Sequence, residues 1–173
     1  MASFPSPILL PSLPYLFAPD ANPSPADLVA ESQIRNTLAT YALSIDSRNF
    51  TALSSVFHPD AVANYSEPIN VISGLSEIMN TLEASLALFA ATQHHYGTQA
   101  IRVDNAGSSA RVVTYFTATH FGKGGAEGQV LYAHGQYQDL LTLSGQEKWL
   151  IKERNLVYMG PFVGNLSAFA GSD

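Results

Sequence analysis

The strongest constraint on the fold is the order of hydrophobic patterns, because helix-like segments come first and long strand-like segments follow. Between residues 94 and 159, four stretches rich in Val, Thr and aromatic residues are separated by short turns. These stretches cover residues 94–104, 109–121, 129–143 and 148–159. Such a run predicts a meander of long antiparallel strands.

Apolar residues at helical spacing precede the strands. Ser24, Pro25 and Asp27 form a typical helix start, so a first helix is predicted to run from there to about residues 46–49. A short helix, a short strand and a third helix are then predicted at 50–57, at 61–65 and from 74–76 onward. This order predicts an α+β fold: a cone-shaped α+β barrel in which N-terminal helices pack over one face of a curved antiparallel sheet. The mouth of such a cone is a natural ligand pocket.

The N-terminal segment differs in composition from the rest of the chain. Seven of the ten prolines lie in the first 25 residues, which argues against regular helix or central strand there. Residues 1–24 are therefore predicted to form an arm that either docks on the body or on a neighbouring subunit, or is a disordered tail. The domain itself is predicted at 25–160, followed by a tail at 161–173. No basic residue precedes Arg35, so we expect no signal peptide and a cytoplasmic location, with secretion left open.

The charge balance excludes several classes of partner. The chain has 8 Lys and Arg against 14 Asp and Glu, and a net charge of −6. Nucleic acids and anionic membranes need a basic face, so neither is an expected partner. The absence of cysteine excludes disulfides and thiol catalysis. Charged residues make up only 13%, which predicts extra apolar surface in a pocket and favours a homodimer or homotrimer built on the exposed sheet face.

Several motifs resemble a known family in their order and spacing. They are Tyr41-Ala-Leu-Ser-Ile-Asp46-Ser-Arg-Asn-Phe50 with the following segment 53–62, then segments 92–94 and 113–115, and finally Trp149-Leu-Ile-Lys-Glu-Arg154. Over residues 28–160 the chain resembles the SnoaL-like domains of the nuclear transport factor 2-like superfamily. Within it, the chain is most similar to the branch of scytalone dehydratase and bile acid 7α-dehydratase. The resemblance implies no metal and no cofactor.

The same resemblance implies a set of catalytic residues. Asp46, Tyr65, His94 and His120 match the aspartate, tyrosine and pocket histidines of the scytalone dehydratase branch. Tyr41, together with His94 and Arg154, is similar to the bile acid dehydratase pattern.

The sequence also departs from the scytalone dehydratase branch. Ile45 replaces the tyrosine before the aspartate, and Gln136 and Gln138 stand where that branch has two polar residues including an asparagine. These differences argue against scytalone itself as the substrate.

The residue chemistry agrees with acid–base catalysis. Imidazole titrates near neutral pH, so His94 and His120 can take and return a proton, while Asp46 would orient one of the rings. Phenol groups of Tyr41, Tyr65 and Tyr115 could hydrogen-bond a carbonyl or enolate oxygen.

Substrate-binding positions are predicted on the long strands, at Tyr115, Phe116, His134, Gln136 and Gln138. Arg154 is interpreted as an exposed charge in preference to an anion holder in the pocket. A metal set of His94, His120 and Asp46 can be drawn, but it is not favoured.

These observations predict a cofactor-independent lyase or isomerase of secondary metabolism. Its reaction would be dehydration, or a linked isomerisation or cyclisation, of a small, oxygenated, polyketide- or terpenoid-like molecule. The alternatives are a pericyclase or an epoxide-opening cyclase or hydrolase on the same fold, and a non-catalytic module for ligand binding or dimerisation.

Overall fold

The computed structural model describes residues 6–18, 23–145 and 147–165. Three α-helices and seven strands form its framework. The helices are α1 (Leu13–Leu16), α2 (Pro25–Asp46) and α3 (Leu75–Leu86). The strands are β1 (Phe57–Asn64), β2 (Val71–Ser73), β3 (Ala91–Val103), β4 (Ser109–Phe121), β5 (Val130–Leu143), β6 (Trp149–Tyr158) and β7 (Val163–Gly164).

All seven strands belong to one sheet in the order β2-β1-β6-β5-β4-β3, with β7 added to β5. Register shifts in the β3–β4 and β5–β6 pairs bend the sheet. No pairing joins edge strands β2 and β3 within the described residues, so the sheet is curved but not closed. The α+β prediction is confirmed. One pair differs from the predicted antiparallel arrangement, because β1 lies parallel to β6.

Helix α2 forms for reasons that are local to the sequence. The Ser24 hydroxyl accepts a hydrogen bond from the Asp27 amide at 3.1 Å, and the Asp27 carboxylate accepts one from the Ser24 amide at 3.0 Å. This reciprocal pair, with Pro25 in the first turn, starts the helix. Apolar residues at helical spacing then bury one side of α2 against the sheet, ending at Ile45. The sheet face that packs on α2 and α3 is called the inner face below, and the opposite one the outer face.

The segment between α2 and β1 differs from the prediction. A 3₁₀ turn covers Phe50–Ser55, and β1 then begins at Phe57, four residues before the strand predicted at 61–65. Pro59 can lie inside β1 because the pairing of β1 with β6 is interrupted between Phe57 and Val62. No ladder hydrogen bond is needed from its missing N–H there.

The arm contains helix that was not predicted. A 3₁₀ turn at Leu10–Ser12 leads directly into α1. Pro11 and Pro14 lie in the first turns of these two elements, where the N–H has no helical partner to lose. Proline therefore limits the length of helix in the arm but does not forbid it.

The described part of the arm docks on the outer face of the sheet. The Gln138 side-chain amide accepts from the Ile8 N–H at 2.6 Å and donates to the Ile8 carbonyl at 2.9 Å. Arg102 donates to the Leu16 carbonyl at 2.8 Å, and Leu13 is buried. The arm thus covers part of the face on which a homodimer or homotrimer is predicted, and that oligomer stays a prediction.

Candidate active site

A cavity of about 490 Å³ lies between the inner face of the sheet, α2 and α3. Within the described part of the chain, no Asp, Glu, Lys or Arg side chain lines it. The wall is mainly aliphatic and aromatic, with hydroxyls and two imidazoles as its polar groups. The lining residues are Tyr41, Ile45, Tyr65, Pro68, Ile69, Leu82, Ser85, Leu86, Leu88, Phe89, His94, His120, Tyr137, Leu156, Tyr158 and Phe162.

An aspartate–histidine pair lies at the wall of this cavity. Asp46 is the last residue of α2, and His94 stands near the start of β3. The His94 ring nitrogen Nδ1 is 2.7 Å from Asp46 Oδ1, and the His94 backbone N–H donates to Oδ2 at 2.7 Å. Both carboxylate oxygens are therefore fixed on one histidine, with Thr92 donating to Oδ1 as well at 2.9 Å.

The partners of Asp46 determine which nitrogen of His94 faces the cavity. Burial alone would raise the pKa of Asp46, but the hydrogen bonds from His94 and Thr92 outweigh it and hold that pKa below its ordinary value. An ionised carboxylate only accepts hydrogen bonds, so His94 Nδ1 carries the proton. In the neutral form of the ring, Nε2 then carries the lone pair, and this ring lines the cavity. This arrangement suits a general base.

His120 lies in a different environment, although its ring centroid is only 6.2 Å from that of His94. It is buried on β4 and packs against the ring of Phe89 at 4.5 Å. Burial, reinforced by the neighbouring His94, lowers the pKa of His120 to about 4. At neutral pH this imidazole is uncharged, so it can form hydrogen bonds but is not a general acid.

Two tyrosine hydroxyls meet at another part of the cavity wall. The Tyr41 and Tyr65 oxygens are 3.1 Å apart, and both residues are buried. Burial raises the pKa of Tyr41, and it raises the pKa of Tyr65 well above its ordinary value. Both phenols therefore keep their protons at neutral pH. One hydroxyl donates to the other, and both residues line the cavity, where the oxygen atom of a ligand could accept a hydrogen bond from the pair.

A buried ion pair supports this tyrosine pair from beneath. Arg154 is fully buried and binds Asp139 through two hydrogen bonds of 2.7 and 2.8 Å. Its guanidinium carbon lies 4.1 Å from the ring centroids of both Tyr41 and Tyr137. The interpretation of Arg154 as an exposed charge is therefore wrong. Alternation along β6 correctly places Arg154 and Leu156 on one face, but it does not say that this face is the inner one.

The structure brings all five predicted catalytic residues together around the cavity. Tyr41, Tyr65, His94 and His120 line it directly. Asp46 lies behind His94 and contacts the cavity only through that ring. These five residues come from α2, β3, β4 and the residue after β1, so their proximity depends on the fold and not on local sequence.

The predicted substrate-binding residues do not line the cavity. Tyr115 lies opposite Gln136 in the β4–β5 register, and both alternate with inward-facing neighbours, so they belong to the outer face. His134 and Gln138 lie on β5 in phase with Gln136 and share that face. Phe116 is on the inner face, but it packs beneath the cavity, stacked on Tyr137 at 4.5 Å. None of these five residues lines the cavity, and their role in substrate binding stays a prediction.

Several lining residues were missed by sequence reasoning. Pro68, Ile69, Leu88 and Phe162 come from loops that carry no helical or strand periodicity. Tyr137 could have been found, because it lies on β5 between the two glutamines that were chosen, with the opposite orientation. Groups of three or more potential metal ligands do not occur among the described residues. Nor is any helix in that part of the chain long and apolar enough to cross a membrane.

Comparison with known proteins gives relatives of low identity. An uncharacterised protein of Mycobacterium tuberculosis strain ATCC 25618 / H37Rv is 30% identical over 92 residues, which cover 53% of this chain. The chain spans 63% of the length of that relative.

Solved structures show the same fold. A Novosphingobium aromaticivorans protein provisionally named a scytalone dehydratase has a TM-score of 0.70 at 22% identity, covering 81% of this chain and 90% of that one. The hexachlorocyclohexane dehydrochlorinase LinA-type3 of Novosphingobium barchaimii LL02 has a TM-score of 0.71 at 13% identity, covering 82% and 93%. A nuclear transport factor 2-like superfamily protein of Salmonella enterica serovar Typhimurium LT2 has a TM-score of 0.65 at 16% identity, covering 76% and 94%.

The family assignment rests on the sequence itself. The model of the SnoaL-like domain matches residues 26–155, which is most of the chain and includes every residue of the aspartate–histidine and tyrosine pairs. The chain belongs to the SnoaL-like domain family, with the fold of the nuclear transport factor 2-like superfamily.

Proposed function

We propose that this protein is a cofactor-independent lyase that removes water from a neutral, largely apolar carbonyl compound by acid–base catalysis. The observation that carries the proposal is His94, whose Nδ1 is held by Asp46 while its ring lines a cavity of about 490 Å³. A cavity of this size accommodates a small organic molecule. Its uncharged lining favours a substrate without carboxylate or phosphate groups, of the polyketide or terpenoid kind.

The first step is removal of a proton from the carbon next to the carbonyl group. His94 Nε2 takes this proton, and Asp46 stabilises the imidazolium that forms. The carbonyl oxygen gains negative charge and accepts a hydrogen bond from the Tyr41–Tyr65 pair. Arg154, stacked on the Tyr41 ring, adds positive charge beneath this pair.

The second step expels the hydroxyl group from the neighbouring carbon. The C–O bond breaks, a C=C bond forms, and the leaving hydroxyl takes a proton to become water. The pKa of His120 is about 4, so His120 has no proton to spare at neutral pH. His94 therefore returns the proton that it removed, which makes the elimination occur on one face of the substrate. Without a leaving group, the same machinery returns the proton to another carbon and gives isomerisation.

The named structural relatives support elimination as the reaction class. One is provisionally named a dehydratase and another is a dehydrochlorinase. Both names describe loss of a small molecule from adjacent carbon atoms. The role in secondary metabolism is part of the proposal and rests on the predicted apolar, oxygenated substrate.

Proton exchange tests this proposal without knowledge of the natural substrate. A neutral bicyclic ketone such as 2-tetralone is incubated with the protein in D₂O, and loss of the proton signal next to the carbonyl is followed by NMR. We expect the wild-type protein to accelerate exchange, and His94→Gln to lose roughly 10²- to 10⁴-fold of that rate. His95→Gln is the matched control, because His95 is exposed and points away from the cavity.

Two results would overturn the proposal. One is an absence of accelerated exchange across a panel of neutral ketones that bind, as shown by a raised Tm. The non-catalytic binding module would then take its place. The other is exchange that His94→Gln leaves within threefold of wild type, which would favour a cyclase that only shapes its substrate.

A further inference from the structure

The aspartate–histidine pair is connected to a half-buried arginine, Arg48, through a threonine hydroxyl. Arg48 Nη1 donates to Thr92 Oγ1 at 2.9 Å, and Thr92 Oγ1 donates to Asp46 Oδ1 at 2.9 Å. The direction of these bonds is fixed by chemistry. Arginine has no acceptor, so Thr92 must accept from it, and the single hydroxyl proton of Thr92 is then free for Asp46.

The backbone of Arg48 shows that this contact is built into the end of α2. Arg48 lies two residues after the helix and has a φ of 61°, in the left-handed region that glycine and asparagine usually occupy. From there its side chain turns back and donates to the Ile45 carbonyl at 3.0 Å. Backbone conformations of this kind persist where the surroundings hold them, often at functional sites.

Thr92 is placed for this task by the sheet. It lies two residues before His94 on β3, on the same inner face, and is buried. Its partner across the β3–β4 ladder is His120. Thr92 therefore links Arg48 to the Asp46 carboxylate, and it lies directly opposite His120 in the sheet.

We propose that Arg48 and Thr92 are positioning residues that hold the Asp46 carboxylate ionised and aimed at His94. This inference rests on the proposed function of His94 as the base. The titratable groups that face Asp46 are His94 on β3 and Arg48 after α2, with His120 on β4 and Tyr96 on β3 further away. Arg48 is the only permanent cation among these four, so its loss removes the charge that favours the ionised carboxylate.

A purely structural role for Arg48 makes a different prediction. If Arg48 only closed the end of α2 through the Ile45 carbonyl, its removal would lower stability and leave the titration of Asp46 where it is. The two roles are therefore separated by a titration and not by a stability measurement.

The experiment follows the Asp46 carboxyl signal by ¹³C NMR as a function of pH, in protein labelled at aspartate. We expect Arg48→Met to raise the midpoint of this titration by roughly one pH unit, and Thr92→Val to raise it by less. Arg48→Lys and Thr92→Ser keep the charge and the hydroxyl and should stay close to wild type. Arg35→Met is the control, because Arg35 is on α2 but bonds Gln99 and Glu31 instead.

Ketone exchange provides the second readout. We expect Thr92→Val to lower kcat about tenfold and to leave KM unchanged, because Thr92 is not part of the cavity lining. The inference would be overturned if the midpoint of the Asp46 titration stayed close to the wild-type value in both Arg48→Met and Thr92→Val. Close means within about 0.2 pH units, roughly a fifth of the expected shift. If Arg48→Met does not fold, the nearly isosteric Thr92→Val decides alone.

The titration needs no substrate, so the two proposals can fail separately. If the wild-type protein accelerates exchange but the variants leave the Asp46 midpoint unchanged, only the proposed role of Arg48 and Thr92 is wrong. If the midpoints shift but no ketone undergoes exchange, the proposed function is wrong, and Arg48 and Thr92 have no catalytic role. Their electrostatic effect on Asp46 would still be established.

Discussion

The two faces of strand β5 carry similar residues with opposite roles. On the inner face, Tyr137 packs on Tyr41 with ring centroids 5.7 Å apart, and Asp139 binds the buried Arg154. On the outer face, Gln138 holds the arm, and Gln136 is buried with its amide unpaired among the described residues. The presence of buried polar residues therefore does not distinguish the candidate active site from the outer face. What distinguishes the inner face is that its polar groups converge on a cavity closed by α2 and α3.

The largest expected effect concerns the ion pair on the inner face. Removing one partner of a buried pair leaves an uncompensated charge, so Arg154→Met should lower the free energy of unfolding by about 3–5 kcal/mol. The double variant Arg154→Met with Asp139→Leu should recover much of this loss, because neither charge remains. Urea denaturation measures both. A loss below about 1 kcal/mol for Arg154→Met would show that the pair does not organise this face.

The tyrosine pair tests whether the inner face also carries the chemistry. Tyr65→Phe removes a hydroxyl that, in the proposed mechanism, stabilises the developing oxyanion, so we expect ketone exchange to fall about 10²- to 10³-fold. Tyr115→Phe removes the same group from the outer face and should leave the exchange rate unchanged. Equal effects of the two substitutions would contradict the assignment of the site to the inner face.

Acid should reveal the uncharged state of His120. Its pKa of about 4 in the folded protein lies below the ordinary value of 6.5, so the unfolded chain binds a proton that the folded chain does not. Stability therefore falls as pH drops from 6.5 towards 4, by up to about 3 kcal/mol from this group. His120→Phe should lose this dependence. The measurement is the free energy of unfolding of the wild-type protein and of His120→Phe at several values between pH 7 and pH 4. The wild-type value should fall more steeply as the pH drops.

The smallest effects are expected on the outer face. Gln138→Ala removes two hydrogen bonds to the arm and should cost about 1–2 kcal/mol of stability, with no change in ketone exchange. His134→Ala should stay within about 0.5 kcal/mol of wild type. A loss of exchange in either variant would bring the outer face back as a binding surface.

Much of the fold could be predicted because its signals are local. The Ser24–Asp27 start of α2, the third helix and the four long strands follow from capping and from period-2 alternation. Strands β2 and β7 are three and two residues long, too short to show a pattern. The early start of β1 was hidden by Pro59, whose position in a strand depends on an interruption in pairing with a distant strand.

The residues of the proposed catalytic site could be selected from the sequence only with the help of the family resemblance. Alternation groups His120 with Phe116 on one side of β4, but it does not say which side meets the helices. Gln136 and Gln138 were selected as substrate-binding residues because of their position in the family pattern. Tyr137 and Asp139, which alternate with them along β5, are the residues that face inward. Arg154 was misread for the same reason. Arg48 and Thr92 lie within the recognised motifs, but only the folded contacts show that they meet Asp46.

The most direct test of the account is a crystal structure of the protein soaked with a neutral aromatic ketone that raises its Tm. We expect the ketone in the inner cavity, with its oxygen within about 3.2 Å of Tyr41 or Tyr65 and the adjacent carbon facing His94 Nε2. A ketone bound instead on the outer face beside Tyr115 and Gln136, or a cavity filled by its own side chains, would contradict the central claim that the inner face forms the active site.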